Sequence, residues 1–208
     1  MVPERATQSD QTVDRIVLAA LELLISRGVK GTNLTEVASH AGVTRVTVYR
    51  HFGDKEGLFR GICRKIVSIF EKAADGEPTE PFEDFDARLQ RLGMDLAALP
   101  QGNLLARLEE INRRYPGIYG QFTDCRRKAI NTIFQHALAV ATRDGALRDD
   151  VNLDVLKVIF WAATVGLIEN PALVSSNVSL AEVFATVTTL FRHGILKHCE
   201  GATTSEQG

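Results

Sequence analysis

Between Gly42 and Phe52 the chain reads Gly-Val-Thr-Arg-Val-Thr-Val-Tyr-Arg-His-Phe. On a short helix beginning after Thr44, Val43 and Val48 supply an inward face. Arg45, Val46, Thr47, Tyr49 and Arg50 are left outside. This outer set suits the major groove of a duplex. An arginine can donate two hydrogen bonds to guanine O6 and N7, threonine reaches either base type, and valine can touch a thymine methyl. Tyr49 and His51 offer donors to phosphate oxygens. Lys55 falls in the first turn of the next expected helix, where its charge and the free backbone N–H groups can hold a phosphate. Thr32, Asn33 and Thr35, at the start of the preceding helix, are candidates for the same task, and Thr44 completes the set.

Two short helices and a tight turn must hold these groups. Leu34, Val37, Ala38 and Ala41 mark the inner face of the first helix, with Asn33 and Glu36 spaced for a capping box. Gly42 permits the turn, Ala38 is small where the helices must touch, and Thr44 is a good N-cap. Upstream, Val13, Ile16, Val17, Ala20, Leu21 and Leu24 recur at steps of three and four, the stripe of an amphipathic helix, and Gly28 supplies its stop. Downstream, Asp54 can cap a fourth helix whose inner face reads Leu58, Ile62, Ile66 and Ile69 or Phe70.

Residues 75–81 carry two prolines, a glycine and three acids and break the helical pattern. Beyond them the periodicity predicts helices near 82–99, 102–113, 116–144, 152–169 and 179–198. Pro116 suits a first turn, Gly145 ends the third of these helices, and Pro171 follows the fourth. No strand pattern of convincing length occurs, so the expected class is all-α. The expected division is a flexible arm at 1–9, a DNA-binding domain at 10–56 with its helix-turn-helix at 33–52, a second helical domain at 57–199, and a flexible tail at 200–208.

The stretch from Val17 to Phe59, VLAALELLISRGVKGTNLTEVASHAGVTRVTVYRHFGDKEGLF, resembles the tetracycline-repressor-like (TetR) family. The most specific piece is Ala41 to Phe52 followed by Asp54-Lys55: a glycine-valine start, a Thr before an aliphatic-Tyr pair, a His-Phe end, and a Lys opening the next helix. Val46 stands where relatives often carry Gly or Pro. The resemblance covers about a quarter of the chain. It implies about nine helices, a three-helix DNA-reading module, and a ligand-binding and dimerisation domain at 57–199 that binds a small-molecule effector and forms a homodimer on a palindromic operator, most often as a repressor.

That C-terminal region has matching features. The segment Val155 to Ile168 is apolar on nearly every face, and a helix apolar all round must be covered all round. Leu180, Val183, Phe184, Val187, Leu190, Phe191 and Ile195 form a stripe on the last helix. The resemblance implies that these two helices pair with their copies, with Val158, Trp161, Val165, Val183, Val187 and Leu190 as interface candidates; a purely internal core is the alternative. Candidate pocket residues on the middle helices are Met94, Leu105, Leu108, Ile111, Asn112, Tyr115, Tyr119, Phe122, Phe134 and Trp161, each of which could equally be plain core.

Composition fits this reading. Residues 1–65 hold ten Lys/Arg and seven Asp/Glu, a local charge of +3, and the overall −2 leaves −5 for the remainder. A basic front and an acidic back suit a protein that touches phosphates with one end. A non-specific architectural binder would need far more basic stripes. Cys63, Cys125 and Cys199 are scattered and odd in number, and suggest neither a zinc site nor a disulfide framework. His193, His198 and Cys199 form a weak metal-like group at the chain end. No GxSxG, glycine-rich phosphate loop or HExxH occurs, so no catalytic residue, metal or cofactor is expected. The longest apolar run is too short for a bilayer, and the expected location is the cytoplasm.

Overall fold

The computed structural model describes residues 8–166 and 170–196, and of Val165 the backbone only. The tail, most of the N-terminal arm, His198 and Cys199 lie outside the described residues. The described chain is all-helical, with ten α-helices: α1 (Gln8–Gly31), α2 (Leu34–His40), α3 (Arg45–Phe52), α4 (Lys55–Ala74), α5 (Phe82–Ala97), α6 (Leu104–Arg114), α7 (Pro116–Arg143), α8 (Leu153–Trp161), α9 (Pro171–Ser175) and α10 (Leu180–Ile195). A π-helical turn, Ala162–Gly166, extends α8. The count exceeds the expected nine because Pro171, read as following a helix, instead opens the short α9, whose first turn is capped by Asn170.

Local chemistry sets the boundaries. Asn33, Thr44, Asp54, Asn103, Asn152 and Ser179 each cap a helix by accepting a backbone N–H in its first turn. Asn33 accepts from the Glu36 N–H, but the Glu36 carboxylate pairs with Arg27 rather than returning to Asn33. The true capping box is at α10, between Ser179 and Glu182. At the α2–α3 turn Gly42 has φ +62°, and the Val43 N–H donates to Ala38 O at 3.0 Å. This is the six-to-one bond of a Schellman ending, which needs a residue at positive φ.

One cluster of buried side chains runs from Ile16 in α1 to Leu180 in α10. Helix α4 lies at its centre, packed against α1, α3, α5 and α7, with Leu58, Phe59, Ile62 and Ile66 fully enclosed. The 75–81 segment is tied down. Arg88 donates to Ala73 O and pairs with Glu80, and Arg143 donates to Thr79 O and Glu80 O at 2.9 and 2.7 Å. The end of α10 is pinned to the loop after α7 by an isolated bridge between Leu147 and Leu196.

Helix α1 does not stop at Gly28 as its sequence suggests. It breaks there (φ +70°, ψ −179°) and resumes for one turn to Gly31. That backbone region is open essentially only to glycine, and a methyl group at Gly28 would lie 2.8 Å from Glu110 Oε2. Gly28→Ala is therefore expected to lower stability by about 1–3 kcal/mol, read as an earlier midpoint in urea denaturation with an unchanged slope.

Candidate functional site

Helix α3 buries one side chain, Val48, into the core. Val43 and Phe52 pack partly buried beside it. With a single anchor on an eight-residue helix, most of the α3 surface is left to solvent. Arg45, Tyr49 and Arg50 are exposed, Val46 is 75 % exposed, and Thr47 and His51 are half-buried. The Thr44 Oγ1 lies 2.9 Å from Thr47 Oγ1 and accepts the Thr47 N–H at 3.2 Å, which holds the two hydroxyls together at the helix start. Nothing in the described chain covers Arg45 or Val46, and the first turn of α3 is open to a groove.

Flanking phosphate candidates divide. Asn33, Thr35 and Thr44 are exposed. Thr32 is not: it is fully buried, and both its N–H and its hydroxyl donate to Gly28 O, at 3.2 and 2.9 Å. This corrects the expectation that Thr32 meets a phosphate; its hydrogen bonds close the last turn of α1. Lys55 is partly occupied, with Nζ donating to Lys30 O at 3.2 Å. Burial, then the neighbouring Arg114 charge, push its ammonium below the usual lysine value.

A polar bracket joins the N-terminal helices to α6. The break at Gly28 frees the Val29 N–H, which donates to Glu110 Oε2 at 2.9 Å. Arg107 Nε donates to Ile25 O at 3.1 Å, and Arg107 pairs with Glu110. Two adjacent α6 side chains thus satisfy backbone groups on both sides of the α1 kink, which water would otherwise have to serve. Burial acts to raise the Glu110 pKa, but the Val29 N–H and Arg107 outweigh it and hold the carboxyl below its ordinary value.

Away from this bracket a cavity of about 470 Å³ opens between α5, α7, α8 and α10. Its walls are largely aromatic and aliphatic, including Phe85, Leu89, Phe134, Phe160, Phe184 and Phe191, and the C-terminal part of α4 reaches it through Phe70. Asp86 and Arg192 lie on its lining and pair with each other.

Residues 16–62 match the family described as bacterial regulatory proteins, tetR family. Over 55 residues the chain is 44 % identical to the HTH-type transcriptional repressor BepR of Brucella suis biovar 1, 26 % of each chain. Over 187 residues it is 25 % identical to the HTH-type transcriptional regulator TtgR of Pseudomonas putida, covering 86 % of this chain and 89 % of the relative. The fold extends the likeness beyond the matched segment. A transcriptional regulator from Saccharomonospora viridis, solved in complex with choline, superposes with a TM-score of 0.58 at 18 % identity, covering 90 % of this chain and 99 % of that one. Residues 16–62 carry a TetR-family helix-turn-helix. The alignments to the first curated relatives span about a quarter to a half of those proteins' length. The family is one of regulators rather than enzymes.

The cavity is not where the sequence placed it. Of the candidate lining residues only Phe134 borders it. Leu105, Leu108, Ile111 and Phe122 are closed into the core, and Tyr115 and Tyr119 pack against Phe59 and Phe122. Met94 is 65 % exposed, Asn112 bonds Glu109 at 3.3 Å, and Trp161 stands edge-on to Phe160. The physical reason is register: α5 turns Phe85, Leu89 and Leu92 inward, which points Met94 out. The missed residues lay in two readable stripes, Phe82-Phe85-Leu89 on α5 and Phe184-Val187-Phe191 on α10. Sequence reasoning had assigned the second to the dimer. Val183 and Val187 line the cavity, whereas Val158 and Leu190 are 69 % and 67 % exposed. The Val165 side chain lies outside the described residues.

The Glu110 bracket has a pH signature. A carboxyl held below its ordinary value of about 4.5 contributes stability above that pH and loses it as pH falls through the lowered folded value. Hydrogen exchange at the Val29 amide, corrected for intrinsic rate, should show constant protection above about pH 5 and an acid-side loss. In Glu110→Gln the protection should be weaker at neutral pH and should lack that acid step.

Proposed function

We propose that this protein is a cytoplasmic transcriptional repressor that binds a palindromic operator as a homodimer and is released by a small molecule. The carrying observation is the uncovered first turn of α3, with Arg45 and Val46 exposed inside the TetR-family motif. Arg45 reads a guanine, Val46 and Thr47 contact neighbouring bases, and Tyr49, Arg50, His51, Asn33, Thr35 and Lys55 hold the phosphates on either side.

The dimer reading is supported by one surface. Val155, Val158 and Ile159 on α8 and Leu190 on α10 are all more than half exposed. Large apolar residues gathered on two neighbouring helices are the mark of a face that another chain covers. Pairing of these faces would set two α3 helices at half-sites on one side of the duplex, so the operator would carry matching two-fold symmetry.

Release follows from α4. Its first residue, Lys55, lies just beyond α3, and near its far end Phe70 lines the cavity. Twenty residues make a rod about 30 Å long. A molecule that binds the cavity more tightly in one tilt of α4 than in another shifts the population of dimers whose α3 spacing fits the groove.

Arg45→Ala is expected to weaken binding to a selected operator about 10- to 100-fold, the value of one bidentate base contact of about 1–3 kcal/mol. Sedimentation should show an unaltered dimer. Val158→Glu combined with Leu190→Glu should instead give a folded monomer that shifts no operator fragment. Full operator affinity in either variant would refute the corresponding half of the proposal.

A further inference from the structure

Most polar side chains on the cavity lining are already engaged. Asp86 pairs with Arg192 and also accepts from Gln90 Nε2 at 2.9 Å. The Thr164 and Thr188 hydroxyls donate to Phe160 O and Phe184 O, at 2.7 and 2.8 Å. His193, the remaining titratable group on the lining, is exposed at the end of α10.

Each commitment excludes a class of guest. A cation must displace Arg192 to reach Asp86, and an anion must displace Asp86 to reach Arg192. Either exchange breaks an ion pair and takes a charge from water into an apolar site. Thr164 and Thr188 have spent their protons within their own helices and retain only acceptor lone pairs.

The walls favour rings. Phe134 and Phe160 are stacked with centroids 4.1 Å apart, and Phe160 meets Phe191 edge-on at 5.2 Å. Offset stacks and edge-to-face pairs are the arrangements that aromatic groups prefer with each other, and a flat guest can extend them. A volume of about 470 Å³ falls in the range of drug-sized ligand sites.

We propose that the cavity binds an uncharged aromatic molecule of drug size bearing a hydroxyl or amine donor, with anionic analogues excluded by the closed Asp86–Arg192 pair. The effector role of this site rests on the function proposed above; the ligand class rests on the cavity itself.

Two dyes make a matched probe. N-phenyl-1-naphthylamine and 8-anilinonaphthalene-1-sulfonate share their rings and bridging N–H and differ by one sulfonate. Titrated against the full chain, the neutral dye should saturate at one per chain with a Kd at least tenfold below that of the sulfonate. Ala137→Trp, which fills the cavity from α7, should weaken the neutral dye at least tenfold. Asp86→Asn leaves Arg192 unopposed and should strengthen sulfonate binding at least fivefold, a gain that misfolding cannot mimic.

Equal or tighter sulfonate binding to the unaltered chain would overturn the ligand class. So would neutral-dye binding indifferent to Ala137→Trp, which would place the dye on the exposed apolar face of α8 and α10. A mobility shift separates this claim from the effector role. Cavity binding of the neutral dye without operator release upholds the ligand class and removes the effector role. Operator release by charged molecules alone, with no neutral dye bound, does the reverse.

Discussion

Burial of one face of α4 is the constraint from which the rest of the molecule follows. Leu58, Phe59, Ile62 and Ile66 are fully enclosed, and each such side chain contributes roughly 1.5–3 kcal/mol by leaving water. That face fixes α1 on one side and α7 on the other, and through α1 it fixes the short helices of the DNA-reading module. Helix α3 itself brings little to the core beyond Val48. Its position is dictated from outside, which is what frees its remaining surface for recognition. A recognition helix that packed better on its own body would have less to show a duplex.

The join to α6 is of a different kind. Apolar packing across α4 tolerates small sliding motions, because dispersion contacts are individually weak and non-directional. The bracket of Arg107 and Glu110 on the Gly28 break is directional, with donor and acceptor geometry to satisfy. Any tilt of α4 that carries the DNA-reading helices with it must leave these bonds intact or break them together. The kink in α1, costly for any residue but glycine, supplies the unpaired N–H on which the bracket closes.

Much of this was legible in the sequence, for local reasons. Asn33, Thr44 and Asp54 cap helices because a short oxygen acceptor before an apolar period has few other conformations to serve. Gly42 marks the turn because the Schellman ending needs positive φ. The missing parts depended on tertiary contacts. Thr32 looked like a surface donor because nothing local says that Gly28 breaks the helix and offers it a carbonyl. Met94, Leu105 and Leu108 looked alike as pocket candidates. Hydrophobicity marks a buried face without saying whether its neighbour is a side chain or a void, and a cavity exists only where opposing helices fail to meet. Phe85 on α5 and Phe184 on α10, nearly a hundred positions apart, line one such cavity together.

The sorting of α8 and α10 shows how two tasks share one element. On α8, Phe160 turns to the cavity while its neighbour Ile159 is exposed; on α10, Phe191 turns inward while Leu190 is 67 % exposed. A helix that presents apolar residues to both sides reads from sequence as one broad stripe, which is why Val183 and Val187 were assigned to the outer face. In the proposed dimer the wall of the cavity and the face that meets the partner are adjoining faces of the same two helices. Side chains on adjacent residues share a backbone, and close-packed interiors transmit displacement rather than absorb it. If that dimer forms, a guest that spread Phe160 from Phe191 would act on the pairing surface directly, alongside the proposed route through Phe70 and α4. Under that proposal two routes from one cavity would converge on a single quantity, the distance between recognition helices.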